Sequence, residues 1–404
     1  MKDSLRVASV CRGLPSAADP SSGVFVLRRL EALARFASVE TIQPVPYFPG
    51  LKPIPEWARS QRAYNSLVIR PESMFYVPKV LKSLDGRWLE RAVLRGLKRL
   101  RQRAPVDLVD AHFGYPEGVG SFLAARRLGL PVFITVRGLE SEYLRKPLIG
   151  RQIERAIRLA DGCICVSYSL QKLVLEHGAE PQRTTVIHNA IDASTFYPGD
   201  KAASRATLGL GADGPVVVSV GQLISRKRHH ITLTAFARVR RRFPSARLVI
   251  VGGRTFESRY PRMLRNLAAE LGIEDAVSFV GDLPPEEVAV WLRAADVFAL
   301  ATQREGCCNA VLEALACGLP VVTTPVGDNA HFVRDGENGF LVQVDSVDAM
   351  VSALEQALRS DWDHEAISAK LGVGGWDRVA QKVVAFFRER LETRSGGRVP
   401  ESLE

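Results

Sequence analysis

Val297-Phe-Ala-Leu-Ala301-Thr-Gln-Arg-Glu305-Gly-Cys-Cys-Asn309-Ala-Val-Leu-Glu313-Ala-Leu-Ala-Cys-Gly318-Leu-Pro320-Val321-Val-Thr-Thr324 sets two short apolar runs around one helical pattern. Val297–Ala301 is apolar at every position, as a strand covered on both faces must be. Ala310–Ala316 follows as a helix beginning near Asn309, and Gly318 and Pro320 stop it. Val321–Thr324 is a second strand. Strand, helix and strand in this order form a parallel β-α-β unit, the building block of a doubly wound sheet.

Working outward, the same alternation fills the second half of the chain. Val216–Val220, Leu248–Val251 and Val277–Val280 are strands, with helices at Ile231–Arg242, Met263–Leu271 and Glu286–Ala294 between them. The first half repeats the plan less cleanly. Leu5–Val10, Leu108–Ala111, Val132–Val136 and Cys163–Val166 are apolar runs, with helices at Val24–Ala37, Val119–Arg127 and Ile149–Leu159. The reading is an α/β chain of two Rossmann-like domains facing each other across a deep cleft. Pro198, Gly199, Gly209, Gly211, Gly214 and Pro215 break the periodicity between the halves, which places the domains at 1–197 and 198–375. The amphipathic stretch from Trp376 to about 392 is expected to pack back on the first domain, with the last dozen residues frayed. Closure over a ligand would hinge near Phe196–Pro198 and Gly372–Trp376.

A chain of 404 residues, 46% hydrophobic and 24% charged, suits two globular domains. The apolar start, Met1–Cys11, is cut short by Arg12 and lacks the length of a secretory signal. Six cysteines without a Cys-x-x-Cys pair or a histidine cluster read as reduced thiols in a cytoplasmic protein. The net charge is +10, and between Lys79 and Arg103 nine Lys or Arg face only Asp85 and Glu90. Apolar residues in this segment recur at three- and four-residue steps, so it is an amphipathic helix. Its stripe either packs on the core or rests on an anionic membrane, bringing a lipid-linked acceptor to the site. Aromatic residues are not interleaved with the basic ones, which argues against nucleic acid.

Two motifs carry little. Gly209-x-Gly211-x-x-Gly214 precedes its strand and cannot put a pyrophosphate on a helix start, so it is no dinucleotide site. Asp361-Trp-Asp363 has metal-ligand spacing but lies away from any strand end.

The chemistry lies at the strand ends. After Val297–Ala301 the chain turns through Gly306 into a helix whose first amides and dipole suit phosphate oxygens. The dipole contributes only about 0.3–1 kcal/mol, so a full cation is also needed. Gly221-Gln222-Leu-Ile-Ser-Arg226-Lys227-Arg228 follows the first strand of the second domain, and parallel topology brings it to the same sheet edge. Glu305 and Glu313, eight residues apart, suit sugar hydroxyls, because an ionised carboxylate accepts from two neighbours.

These two segments resemble the donor-binding signature of the family 4 retaining glycosyltransferases, which have the GT-B fold. Gly23, Asp110-Ala-His112-Phe-Gly-Tyr-Pro-Glu-Gly118, Thr135-Val-Arg137-Gly138 and Val186-Ile-His-Asn189-Ala-Ile-Asp192 extend the resemblance over most of the chain. It implies that Arg226 and Lys227 neutralise the diphosphate of a UDP- or GDP-sugar, and that Glu305 contacts the transferred sugar. Gly23, Gln222 and the segment Gly306, Cys307, Cys308 and Asn309 would line the donor, and Glu313 would hold the ribose. His112 and Arg137 would face the acceptor, a glycan, a lipid-linked sugar or a small molecule. The family carries Arg at the place of Gln222, so Arg226 would supply the second charge; it often carries His at Arg137 and Gly at Ala190.

A nucleoside diphosphate leaves as a stable anion and needs electrostatic stabilisation more than a proton. The expected reaction is therefore transfer with retention, without metal or cofactor, in which a diphosphate oxygen helps deprotonate the acceptor. Glu305 as a covalent nucleophile is the rival chemistry. A sugar-nucleotide epimerase of the same fold is the rival function.

Overall fold

The computed structural model describes residues 4–16, 22–211, 214–253 and 257–396. The chain divides into two compact units, residues 1–190 with 374–404, and residues 191–373. The division falls at Ala190/Ile191 and not at 197/198, because Ile191 and Phe196 are buried in the core of the second unit.

In the first unit β1 (Arg6–Val10), β2 (Ser38–Tyr47), β3 (Arg62–Tyr64), β4 (Leu67–Phe75), β5 (Leu108–His112), β6 (Val132–Val136), β7 (Gly162–Cys165) and β8 (Thr184–Val186) form one sheet. Its order is β3-β4-β2-β1-β5-β6-β7-β8, parallel throughout except where edge strand β3 runs antiparallel to β4. The reversal of winding lies between β1 and β5, so their carboxyl ends bound one crevice.

Strand β2 contains Pro44 and Pro46, which speak against a strand inside a sheet. Pairing with β1 ends at Ile42, whose carbonyl accepts from the Cys11 amide at 3.2 Å. Pro44 and Pro46 share the parity of Ile42, so their missing N–H groups face the side that β1 has already left. Tyr47, of opposite parity, still bonds the β4 side through its carbonyl to the Tyr76 amide, at 3.0 Å. Pro71 of β4 repeats this logic, lying beyond the end of β3 pairing at Ile69.

The basic segment forms a short turn over Lys82–Leu84 and then the helix Asp85–Arg101. Leu89, Ala92, Val93, Gly96, Leu97 and Leu100 are buried. The apolar stripe therefore lies on the core, with Gly96 so close to Ile42 that a methyl group there would come within 2.9 Å of it. Only the basic face is presented outward, partly neutralised where Arg95 and Arg99 reach Glu72.

The C-terminal helix is longer than expected, Trp376–Gly396, and residues 397–404 lie outside the described ones. Its Val379, Val383, Val384, Phe386 and Phe387 join Leu5, Leu27, Leu30 and Phe133 in the first core, with Phe133 and Phe387 ring centroids 4.6 Å apart.

In the second unit β9 (Val216–Val220), β10 (Arg247–Val251), β11 (Val277–Gly281), β12 (Val297–Leu300), β13 (Val321–Thr323) and β14 (Gly339–Leu341) form an all-parallel sheet of order β11-β10-β9-β12-β13-β14. Successive residues of its central strands enter two different cores. Val217, Leu248, Ile250, Val297 and Ala299 pack on one face, and Val218, Val249, Val251, Phe298 and Leu300 on the other. Both faces are covered, and that is why the runs are unbroken in sequence. Here the reversal of winding lies between β9 and β12, whose pairing is Val217–Val297 and Val218–Phe298.

Among the described residues no helix is long and apolar enough to cross a membrane. Among the described residues no cysteine forms a disulfide.

Candidate functional site

Because β9 and β12 are neighbours, the loops leaving their carboxyl ends meet. The Gln303 amide donates to the Arg226 carbonyl at 2.9 Å, and the Arg226 guanidinium donates back to the Arg304 carbonyl. At this junction the Lys227 ammonium lies 2.7 Å from Glu305 Oε1, and Arg226 lies 3.1 Å from Glu305 Oε2. Thr302 Oγ1 donates to the same Oε1 at 2.7 Å. The structure thus unites the three residues assigned to catalysis. Glu305 is only 8% exposed and Lys227 12%, whereas Arg226 keeps 29%. Burial opposes both charges, but the pairing outweighs it. Lys227 is held above its ordinary pKa by Glu305, and Glu305 below its own by Lys227 and Arg226.

The helix Asn309–Ala316 starts directly after this acid turn, its first amides and positive dipole end on the same side. Gly306 is buried, Cys307 and Asn309 are half-buried, and Glu313 follows one turn into the helix. Cys308 stands at the cap position, its thiol pushed up to about 11 by burial and by Glu305. A neutral thiol leaves the positive field to the cations. Gln222 is exposed, and its carbonyl accepts from His229 Nε2 at 3.3 Å.

Several residues that hold this geometry were not singled out in the sequence. His229 is fully buried and carries a pKa of about 4, lowered by burial and by Lys227. It is neutral, and it clamps the cation loop through Gln222. Thr324 bonds the Thr302 carbonyl, and Asn329 bonds the Thr324 carbonyl at 3.0 Å. Gly327, at φ +59°, lets the loop after β13 lie against Glu305 and Gly306, since a side chain there would meet their carbonyl oxygens within 3 Å. Gly252, at φ +138°, does the same against Gly221. Polar residues at strand ends and glycines just past them were the available signals.

In the first unit His112, Arg137 and Gly23 lie around the β1/β5 crevice. His112 and Asp110 are completely buried. Arg137 Nη2 donates to His112 Nδ1 at 3.1 Å, so the proton sits on Nε2, which faces Asp110 at 3.3 Å and Ser9 at 3.1 Å. Burial lowers the His112 pKa to about 4. Burial also opposes the charge on Asp110, but Arg29 and His112 outweigh it and hold its carboxyl far below the ordinary range. Arg137 also donates to Asn189 at 3.1 Å and stacks over Phe25. Gly23 precedes the helix Val24–Leu33 at φ +62°, where a side chain would run into the Gly13 carbonyl.

The two motifs set aside in the sequence have local roles. Gly209 and Gly214 take positive φ in the connection before β9, while Ala212 and Asp213 lie outside the described residues. Asp363 caps the helix His364–Ala369, accepting from the Ala366 amide at 2.9 Å.

Residues 200–370 match the family model described as glycosyl transferases group 1, and residues 54–195 match that of glycosyltransferase family 4. A D-inositol 3-phosphate glycosyltransferase of Acidothermus cellulolyticus is 33% identical over 322 residues, 75% of this chain and 71% of that protein. One from Kribbella flavida is 30% identical, covering 75% and 76%. Among solved structures, a sucrose-phosphate synthase from Thermosynechococcus elongatus superposes with a TM-score of 0.78 at 21% identity, covering 96% of this chain and all of that one. HepE of Anabaena, solved in complex with UDP, gives 0.73 at 19% identity, covering 95% and 100%. The chain shares the GT-B fold of these structures.

Proposed function

The chain belongs to glycosyltransferase family 4, and from that premise we propose that it moves a sugar from a UDP- or GDP-sugar to an acceptor hydroxyl with retention. The observation that carries this reading is the meeting of Lys227, Arg226 and Glu305 beside a helix start at the β9/β12 crevice. Two cations at a helix N-terminus suit a departing diphosphate, and a carboxylate among them suits sugar hydroxyls.

In the reaction the acceptor oxygen attacks the anomeric carbon on the face that the diphosphate leaves. The glycosidic C–O bond breaks, and the acceptor proton passes to a departing phosphate oxygen. Lys227 and Arg226 stabilise the charge gathering there. Neither a metal nor a cofactor has a role in this scheme. Glu313 would hold the ribose, and His112 and Arg137 would act from the acceptor side.

UDP-sugars head the donor series because HepE binds UDP and UDP-glucose. The names of the relatives make D-inositol 3-phosphate the first acceptor to assay, ahead of glycans and lipid-linked sugars. The named relatives are transferases, which favours this reading over epimerisation. A cytoplasmic location agrees with six cysteines that form no disulfide.

Contact with an anionic membrane would use the exposed basic face of Asp85–Arg101 together with Leu51, Val80 and Leu81, which are 76%, 56% and 56% exposed. The buried stripe of that helix is not available for it. Binding to vesicles of anionic lipid, measured by flotation, checks this part.

The test of the whole is a thermal-shift screen of nucleotide sugars, followed by nucleoside diphosphate release with and without acceptor. A donor raises the melting temperature, and acceptor accelerates release. Donor interconversion without acceptor would transfer the assignment to an epimerase.

A further inference from the structure

Glu305 engages the same two cations that a diphosphate would need. Oε1 accepts from Lys227 and Thr302, both at 2.7 Å, and Oε2 pairs with Arg226 at 3.1 Å. With the carboxylate seated there, the donor's two negative charges meet cations that are already half neutralised. We infer that Glu305 is a specificity residue that sets sugar-bearing donor apart from spent nucleoside diphosphate, by occupying the anion seat whenever no sugar draws it away. This rests on the reading of the β9/β12 crevice as the diphosphate site.

The physical argument is one of exchange. A full donor brings sugar hydroxyls, which offer the carboxylate new donors when it leaves the cations. The diphosphate then takes both charges. A bare nucleoside diphosphate offers no such partner. The carboxylate either stays and competes for Lys227 and Arg226, or moves off unpaired into a site where it is 8% exposed, which is costly. Glu305 thus weakens the spent product more than the donor and favours product release. Thr302 is a positioning residue here, because its hydroxyl holds Oε1 on the cation side, and it is itself fully buried.

The experiment is calorimetric titration of the full chain with UDP, UDP-glucose and inorganic pyrophosphate, comparing wild type with Glu305→Gln. Removing one negative charge from the seat should strengthen UDP and pyrophosphate binding by about tenfold or more. UDP-glucose binding should stay level or weaken, so the preference for sugar-bearing donor collapses. Thr302→Val, which keeps the charge but removes the hydroxyl, should shift UDP in the same direction by a few-fold. It also serves as the readout if Glu305→Gln does not fold. UDP binding unchanged or weaker in both variants overturns the inference. If neither UDP nor UDP-glucose binds while pyrophosphate tightens in Glu305→Gln, the nucleotide-sugar reading fails and the competition stands.

Discussion

Each domain gathers charge where the winding of its sheet reverses, yet the two gatherings are built differently. At β1/β5, Arg29, Asp110, His112 and Arg137 are all less than a tenth exposed, and they bond mainly to one another. At β9/β12 the cations sit on a loop, Arg226 is 29% exposed, and the acid they share stands in a turn before a helix. A closed network of buried charges holds the backbone in place, because breaking it leaves a charge in low dielectric. An open cluster can trade one anion for another. The contrast separates a cluster locked into mutual pairs from one able to exchange its anion within one fold.

The largest effect that would sharpen this contrast is on stability. Asp110→Ala should cost the first domain about 3–5 kcal/mol, since it strands Arg29 without its buried partner. Urea denaturation followed by circular dichroism measures it, and a loss below about 1 kcal/mol would erase the distinction. Lys227→Ala should do the reverse. Its turnover falls by at least about 100-fold, as on losing a preorganised charge donor, while the melting temperature changes little. Near-normal nucleoside diphosphate release in that variant would place the diphosphate elsewhere.

A third effect is pH-dependent and common to both domains. Burial lowers the pKa of His112 and of His229 to about 4 in the folded chain, against the ordinary histidine value of 6.5 in the unfolded one. Between these values the unfolded chain binds more protons, so stability is full above about pH 6.5 and is lost as pH falls toward 4. Equilibrium unfolding at pH 7 and pH 5 should show this loss, and His112→Gln should lessen its slope. A flat profile in the wild type would mean that the two imidazoles are not held neutral.

Gly23→Ala should destabilise by more than about 1 kcal/mol, because the added methyl meets the Gly13 carbonyl at positive φ. The smallest change belongs to Arg228→Gly. Relief at φ +54° and loss of the pair with Asp345 oppose each other, leaving less than about 1 kcal/mol in a melting measurement.

The second domain was the more legible of the two. Its central strands are covered on both faces, so Val216–Val220 and Val297–Leu300 announce themselves as apolar runs within a residue or so of their observed ends. Strands β2 and β4 did not, because Pro44, Pro46 and Pro71 occupy positions whose freedom from a hydrogen bond depends on where a neighbouring strand stops. No local pattern carries that information. At the β9/β12 crevice, the meeting of Lys227 with Glu305 was legible from strand-end position and topology together. His229, Thr302 and Gly327 were not, since each acts through the backbone or side chain of another residue. The basic helix shows the opposite limit. Its periodicity was read correctly, but periodicity does not say whether the stripe meets protein or lipid, and packing against Ile42 decides it.

The C-terminal helix has a consequence for how the molecule is made. Since Phe386 and Phe387 complete the core begun by Leu5 and Val7, the first domain is written at both ends of the chain, with the second inserted whole between them. During synthesis residues 191–373 emerge as one continuous unit and are free to fold while the ribosome still holds the tail. The earlier half must wait, its apolar surface around Phe133 uncovered, until the last helix is released. A stop codon a few dozen residues early would therefore spare the second domain and ruin the one translated first.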